Sequence, residues 1–304
     1  MSWNPSNNPQ CITDLNSPSI ETVIVPRRRD VGGFDVQRAL PSMEHRAVGP
    51  FVFFDRFGPL KLIDGRSLEV RPHPHIGLAT VTYLFAGAIM HRDSLGTVQP
   101  IRPGEVNWMT AGRGIVHSER ASDAGNPLGA ELFGIQTWVA LPKTQEETDG
   151  AFAHHAHEEL PVIEGEGVWT KVVLGQLFNS RSPVVTFGDP VYLDFRLQPH
   201  ARVVLPAEME ERAVSVAAGG LEIDGQRFEP GTLVVLKAKS EVVVRSDIST
   251  QFVLIGGPKL DGPRHVWWNF VSSSKERIEA AKKDWREGRF PPVPGDNEFI
   301  PLPE

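Results

Sequence analysis

The sequence predicts an all-β protein with two β units, each a sandwich or a barrel, and a short helix near the C-terminus. Short runs rich in Val, Ile, Thr and Phe recur along the 304 residues, between 28 glycines and 26 prolines that are spread through the chain. Many short strands separated by turn residues are typical of sandwiches and barrels. The clearest candidate strands are residues 22–25, 80–85, 136–140, 202–205, 233–236 and 242–244.

The distribution of these runs divides the chain into segments. A polar, proline-containing arm precedes the first β unit, and a charged, weakly apolar linker separates the two units. The two units have no close sequence repeat, but their similar strand rhythm is consistent with a duplicated barrel. In chain order the expected segments are the arm (1–18), the first β unit (19–141), the linker (142–167), the second β unit (168–260) and the C-terminal helix with its tail (261–304).

One segment near the C-terminus has helical periodicity. Ser273 and Glu276 have the spacing of a capping box at the helix start. Gly288 stands where a glycine commonly ends a helix, and the proline-rich segment after it is expected to run extended. The apolar face consists of Ile278, Ala281 and Trp285.

Composition excludes several functional classes. A formal charge of −7 and a pI near 5.8 argue against direct binding of nucleic acid, although they permit a protein partner. Cys11 is the single cysteine, so neither an intrachain disulfide nor a thiolate metal cluster is possible. The first residues lack the pattern of a secretory signal, and apolar runs such as residues 252–255 are too short to span a bilayer. A cytoplasmic protein is therefore expected.

Two pairs of side chains have the spacing of metal ligands on strands. His73 and His75 are two residues apart, and in an extended chain such residues point to the same face. Gly77 and Ala79 continue that parity, and their small size predicts open space beside an ion. His117 and Glu119 repeat the spacing, and 41 residues lie between the two pairs.

Two strands of one barrel that each present such a pair inward bring four donors to one point. Three imidazole nitrogens and one carboxylate suit Fe(II), Mn(II), Ni(II), Cu(II) or Zn(II). An octahedral ion so bound keeps open positions, which is typical of a catalytic site. The spacing alone leaves open the alternative of hydrogen-bonded histidines without a metal.

Two long motifs resemble the signature blocks of the pirin family. The first is HPHIGLATVTYL at residues 73–84, and the second is PGEVNWMTAGRGIVHSE at residues 103–119. The segments GPFVFFD at 49–55 and IQTWV at 135–139 resemble the family's flanking strands. The resemblance extends over roughly residues 20–260 and is less distinctive in the second half.

This resemblance implies two cupin (jelly-roll-like) β-barrels in tandem, the first (19–141) binding a metal and the second (168–260) without one. It implies one mononuclear divalent ion, most often Fe(II), with Ni, Mn, Cu, Co or Zn as alternatives. Ala79 departs from the pattern, since many members carry a glutamate there. The implied ligands are His73, His75, His117 and Glu119.

The resemblance also implies a function, for which two alternatives stay open. The first is a quercetin 2,3-dioxygenase-like oxidoreductase that cleaves a flavonol or a related enol with dioxygen, and Glu119 is then the candidate catalytic base. The second is a non-enzymatic, iron-bearing regulatory protein that binds a transcription factor or a metabolic enzyme.

The other polar and aromatic clusters are expected to be structural. His154, His155 and His157 lie in the linker and are interpreted as a solvated loop. His91 is interpreted as a hairpin-loop residue near the rim of the first barrel, and His200 has no paired ligand. Trp267 and Trp268 are expected to pack against a barrel and hold the C-terminal segment.

Overall fold

The computed structural model of the chain describes residues 9–13, 16–31, 34–62 and 68–303. Parts of the expected N-terminal arm, at residues 1–8 and 14–15, lie outside the described residues. The strands up to the expected linker are β1 (Gln10–Ile12), β2 (Ile20–Val25), β3 (Arg27–Asp30), β4 (Asp35–Leu40), β5 (Phe51–Lys61), β6 (Glu69–His75), β7 (Leu78–Ala86), β8 (Ile89–Asp93), β9 (Val98–Ile101), β10 (Val106–Thr110), β11 (Ile115–Arg120), β12 (Glu131–Ala140) and β13 (Ala151–His155).

The remaining strands follow, with one α-helix among the described residues. They are β14 (Val162–Gly165), β15 (Val168–Leu174), β16 (Gln176–Leu177), β17 (Ser180–Arg181), β18 (Val191–Leu197), β19 (Arg202–Leu205), β20 (Glu211–Ala218), β21 (Leu221–Ile223), β22 (Gln226–Phe228), β23 (Leu233–Leu236), β24 (Val242–Arg245), β25 (Thr250–Gly257), β26 (His265–Trp267), β27 (Phe270–Ser272) and the helix α1 (Lys275–Arg286).

Each barrel consists of a large sheet that packs on a small one. In the first barrel the sheet β13-β10-β7-β12-β5-β4-β3 faces the sheet β6-β11-β8-β9. In the second barrel the sheet β1-β2-β23-β20-β25-β18-β15-β14 faces the sheet β19-β24-β21-β22. A separate cluster of buried apolar side chains fills the space between the sheets of each barrel. The all-β fold with two tandem barrels and a C-terminal helix is confirmed.

The two barrels share one strand order. Strands β5 to β12 form the neighbours β10-β7-β12-β5 and β6-β11-β8-β9, and strands β18 to β25 form β23-β20-β25-β18 and β19-β24-β21-β22. Position for position along the chain, these orders are identical. The structure therefore agrees with the expected duplication of a barrel, which the sequences of the two halves do not display as a repeat.

Four of the described strands lie in a different barrel or element from the one expected. Strand β1, expected in the arm, and strand β14, expected in the linker, belong to the large sheet of the second barrel. Strand β2, expected in the first barrel, pairs with β23 of the second barrel. Strand β13, expected within the linker, pairs with β10 of the first barrel, so the solvated-loop interpretation of His154 and His155 is wrong. Strands β10 and β23 occupy corresponding positions, and a partner strand satisfies backbone groups that an open edge would expose.

The two barrels are joined by a shared apolar core. Val81 and Tyr83 of β7 lie in the same buried cluster as Tyr192 of β18 and Ile255 of β25. The Tyr83 hydroxyl also donates a hydrogen bond to the buried Asp194 carboxylate across this interface, at 2.9 Å. The outward face of β7 is therefore an interface between the barrels.

The C-terminal helix begins one residue later than predicted. Ser274 is the N-cap, and its hydroxyl accepts a hydrogen bond from the Arg277 backbone N–H at 3.2 Å. Ser273 instead donates from its backbone N–H to the Glu146 carboxylate, which anchors the chain before the helix. Gly288 directly follows the C-cap with a φ of 68°, as predicted.

The hairpin β26–β27 and the helix pack on the first barrel. Trp268 and Phe270 form a buried cluster with Ile76 of that barrel and with Ile278 and Ala281 of the helix. This confirms that Trp268 holds the C-terminal segment, while Trp267 packs against the same cluster and is half-buried. Within the described residues, no helix combines the length and apolar character that crossing a membrane requires.

Candidate metal centre

The predicted ligand pairs lie on two adjacent antiparallel strands. His73 of β6 is opposite His117 of β11, and His75 is opposite Ile115. The ring centroids of the three histidines lie 4.9 Å (His73–His75), 4.5 Å (His73–His117) and 5.0 Å (His75–His117) apart. All three rings are buried, so the structure brings the predicted histidines together inside the first barrel.

The nitrogen atoms of these rings form a group that can hold a metal ion. One nitrogen from each ring lies within 4.8 Å of the others, and the Nε2 atoms of His75 and His117 are 3.1 Å apart. The Nε2 atom of His73 is buried and has no hydrogen-bond partner among the described residues. A buried nitrogen without a partner is costly, and coordination to a metal satisfies it.

Backbone carbonyl groups determine which nitrogen of two rings carries the proton. The Nδ1 atom of His73 lies 2.9 Å from the Arg71 carbonyl oxygen, and the Nδ1 atom of His75 lies 3.1 Å from that of Asn269. A carbonyl oxygen only accepts, so each Nδ1 donates and each Nε2 keeps its lone pair. This is the usual arrangement around metal-ligating histidines.

The electrostatic environment keeps the imidazoles neutral. Burial lowers the pKa of His73, His75 and His117 well below the ordinary value of 6.5, and the proximity of the rings to one another adds to the effect for His73 and His117. Metal binding requires the neutral form, because a protonated imidazole has no free lone pair. The donor set therefore fits a divalent metal ion.

Glu119 lies in the same interior but in an overlapping group. Its nearest potential co-ligands are His91 and His117, with one donor atom of each within 4.8 Å. The Glu119 Oε1 atom accepts hydrogen bonds from the Thr82 hydroxyl at 3.0 Å and from the Gln136 amide at 3.1 Å. The Gln136 amide also donates to Oε2 at 3.1 Å. Side chains of the large sheet, on β7 and β12, therefore hold the carboxylate in place.

His91 is a site residue that the sequence interpretation missed. It lies within strand β8 rather than in a hairpin loop, and it is buried beside His117, with their Nδ1 atoms 3.4 Å apart. Its Nε2 atom lies 3.1 Å from the Asp93 carboxylate. Burial opposes ionisation of Asp93, but hydrogen bonds from His91 and Thr97 outweigh it and lower the pKa of Asp93. The spacing of His91 and Asp93, again two residues, was the available signal.

The expected open space beside Gly77 and Ala79 is absent from the described structure. Gly77 has a φ of 67°, and a Cβ atom there would meet the Val271 carbonyl oxygen at 2.0 Å. This turn separates β6 from β7 and interrupts the strand parity. Ala79 consequently shares a face with Val81 in the core between the barrels, so its departure from the family pattern does not touch the site.

The second barrel carries apolar side chains on the strands that correspond to β6 and β11. Strand β19 has the sequence RVVL and strand β24 the sequence VVVR. Leu205, Val242 and Val244 from these strands are buried in the second core. His200 lies at the surface with 80% of its side chain exposed.

Comparison with known proteins supports this architecture along most of the chain. The Pirin family profile matches residues 33–139, and the profile of the Pirin C-terminal cupin domain matches residues 192–291. A pirin-like protein of Caulobacter vibrioides is 46% identical over 94% of this chain and 100% of its own length. Human pirin is 31% identical over 90% of this chain and 94% of its own.

A solved structure gives the same result. The crystal structure of a quercetin 2,3-dioxygenase from Acinetobacter baumannii superposes with a TM-score of 0.86 at 33% identity, covering 93% of this chain and 94% of that one. The similarity to these proteins therefore extends over both barrels. The chain therefore belongs to the pirin family, whose members are built from two cupin domains.

Proposed function

We propose that His73, His75, His117 and Glu119 bind one divalent metal ion, and that the protein is a metal-dependent dioxygenase. The substrate class we propose is a flavonol such as quercetin or a related enol. The observation that carries the proposal is the convergence of three neutral, buried imidazoles beside a buried carboxylate. Similarity to a quercetin 2,3-dioxygenase supports the reaction class. Fe(II) is the proposed ion, and Ni, Mn, Cu, Co and Zn also suit these donors.

The chain's own residues define what the site does. A divalent ion bound there supplies Lewis acidity, which favours the deprotonated form of an enol hydroxyl. The carbonyl groups of Arg71 and Asn269 fix the rings of His73 and His75, so that the Nε2 atoms present their lone pairs without reorganisation. Burial of the rings excludes water from the ligand atoms.

Glu119 is the proposed proton acceptor for the substrate hydroxyl. Its Oε1 atom already accepts hydrogen bonds from Thr82 and Gln136, whereas Oε2 accepts one, from Gln136. A carboxylate oxygen has two lone pairs, so Oε2 retains acceptor capacity. Oε2 has one remaining lone pair for both proposed roles of Glu119, as a ligand and as a base. The proton would therefore be transferred to Oε2 with its bond to the ion released, and Thr82 and Gln136 would hold the group in place.

Dioxygen uptake with quercetin tests the proposal directly. Protein purified without a metal-binding tag is analysed for its metal content, reconstituted with Fe(II) and compared with His75→Ala and Glu119→Gln. We expect the rate to fall at least about 100-fold in His75→Ala. His200→Ala, which removes an exposed histidine of the second barrel, is the matched control and should retain the wild-type rate. Equal rates in wild type and His75→Ala would contradict the assignment.

A regulatory function is the second candidate, and one set of contacts favours it. The C-terminal segment reaches three points next to the ligands: Asn269 contacts His75, the Ile300 backbone N–H donates to the Pro72 carbonyl, and Asp296 pairs with Arg120. A change at the ion can therefore reach an element at the protein surface. Metal-dependent co-purification of a protein partner, without dioxygen uptake from quercetin, would favour this function over the enzymatic one.

A further inference from the structure

The feature that carries a further inference is a buried chain of three side chains that ends at a proposed ligand. Asp93 and His91 lie on β8, which pairs with β11, and Asp93 is directly opposite His117. The Asp93 Oδ2 atom lies 3.1 Å from His91 Nε2, and His91 Nδ1 lies 3.4 Å from His117 Nδ1. All three residues are at least 97% buried.

The hydrogen-bonding capacities of these groups determine where the protons are. The Asp93 Oδ1 atom accepts from the backbone N–H groups of Leu95 at 2.9 Å and Thr97 at 3.0 Å. An ionised carboxylate only accepts, so the proton between Asp93 and His91 belongs to His91 Nε2. A neutral imidazole has one donor and one acceptor, so His91 Nδ1 accepts the proton of His117 Nδ1–H.

The consequence falls on the other nitrogen of His117. With its proton on Nδ1, His117 keeps a lone pair on Nε2, which faces His75 Nε2 at 3.1 Å. His73 and His75 have the same tautomer through backbone carbonyl groups. The three rings thus present the same kind of nitrogen to one point, although His117 obtains its tautomer from a side-chain relay.

We propose that Asp93 and His91 are positioning residues that fix the tautomer and ring orientation of His117 for metal binding. This inference rests on the proposed metal site, to which it adds two residues that do not touch the ion. Partners of this kind orient a ligand and typically change metal affinity by about 10- to 100-fold when removed. Phe152, which stacks on His91 with ring centroids 4.5 Å apart, supports the ring from its other side.

Asp93→Asn is the most informative variant. It keeps the shape of the side chain and reverses the direction of the hydrogen bonds that connect residue 93 through His91 to His117. The Leu95 and Thr97 N–H groups require an acceptor at Oδ1, so the amide nitrogen comes to lie where Oδ2 was. That nitrogen donates to His91 Nε2, which moves the His91 proton to Nδ1. His117 then holds its proton on Nε2, where the ion must bind.

Two further variants separate the relay from packing and charge. His91→Phe retains a ring against Phe152 but removes the acceptor for His117. Asp123→Asn removes a nearby carboxylate that pairs with Arg92 at the surface and lies outside the relay. Each variant is made in the full chain and checked for cooperative thermal unfolding.

Metal affinity and histidine tautomers are the two readouts. Competition titration of Ni(II) against a chromophoric chelator should give a 10- to 100-fold weaker affinity for Asp93→Asn and His91→Phe, and an unchanged affinity for Asp123→Asn. Nitrogen NMR of the metal-free protein should find the His117 proton on Nδ1 in wild type and on Nε2 in Asp93→Asn. This measurement needs neither metal nor activity, so it separates failure of the relay from failure of the proposed dioxygenase.

Three results would overturn the proposal. The first is a wild-type His117 that carries its proton on Nε2. The second is an Asp93→Asn protein with wild-type affinity and tautomer. The third is binding of two ions per chain with loss of one in His91→Phe, because His91 would then be a ligand, as its grouping with His117 and Glu119 permits.

Discussion

The two barrels use eight strands each in the same order, and they differ in the side chains that corresponding strands place inside. Strands β6 and β11 of the first barrel bury His73, His75, His117 and Glu119, whereas β19 and β24 of the second bury leucine and valine. The second core also contains the stacked pair Phe195 and Phe252, with ring centroids 4.8 Å apart. Topology is therefore shared, and the chemistry depends on a few positions on two strands.

This difference has an energetic consequence. Buried polar groups destabilise a fold unless they are hydrogen-bonded or coordinated, while buried aliphatic side chains stabilise it through the hydrophobic effect. The first barrel compensates with contacts from outside itself, namely the shared core and the carbonyl of Asn269 from the C-terminal hairpin. The second barrel and the C-terminal segment thus contribute contacts to a barrel with a polar interior.

The largest expected effect is the loss of metal affinity when a proposed ligand of the first barrel is removed. A matched substitution removes an aliphatic side chain from the corresponding strands of the second barrel. His117→Ala should lower metal affinity at least roughly 1,000-fold, more than the loss of an outer partner, because a donor to the ion is removed. Val244→Ala, on the corresponding strand of the second barrel, should leave affinity unchanged and lower the free energy of unfolding by about 1–3 kcal/mol. Metal titration and chemical denaturation measure the two quantities.

The comparison would fail if the substitutions had the same consequences. A weakened metal affinity in Val244→Ala would mean that the second core transmits its packing to the ligands. An unchanged affinity in His117→Ala would remove this residue from the ligand set. Circular dichroism of both metal-free variants serves as the folding control.

The site was largely predictable because its signals are local. Strand periodicity alone places His73 beside His75 and His117 beside Glu119, and the three histidines lie together in the structure. His91 was missed because the turn residues after Asp93 favoured a loop, although the spacing matched the other pairs. The predicted loop was therefore extended from these turn residues into residues that form a buried strand.

Long-range pairing was less predictable. Strand β2 fits the pattern of either barrel, and its partner β23 lies more than 200 residues further along the chain. Strand β13 is short and weakly apolar, and its partner β10 precedes it by some forty residues. The parity argument at Gly77 failed because the close approach of Val271, a contact distant in sequence, requires a turn there.

A second, smaller effect concerns the response of the first barrel to acid. Burial holds the pKa of His73, His75 and His117 well below 6.5, so the unfolded chain takes up protons that the folded chain does not as the pH falls through 6.5. The stability present above pH 6.5 is therefore lost below it. In metal-free protein the three groups together should lower the free energy of unfolding by about 3 kcal/mol between pH 6.5 and 5.5.

Denaturant titrations of wild type and His117→Ala at these two pH values isolate the effect. The variant has two such groups instead of three, so its loss over the same range should be smaller by about 1 kcal/mol. Titrating groups outside the site contribute equally to both proteins and cancel in the difference. Identical losses would indicate that His117 is accessible to protons in the folded state.

The smallest expected effect has the opposite sign and comes from the interface between the barrels. Burial raises the pKa of Asp194 from 3.8 to about 6, although hydrogen bonds from Gln251 and Tyr83 act in the other direction. The folded chain therefore binds a proton at Asp194 below pH 6 that the unfolded chain does not, and this group should add about 1–1.5 kcal/mol to the free energy of unfolding between pH 8 and 5. Asp194→Asn does not titrate, so its stability relative to wild type should fall by that amount over the same range. If the Asp194→Asn difference were constant, the carboxylate would be ionised in the interface, and the two barrels would not respond to acid with opposite signs.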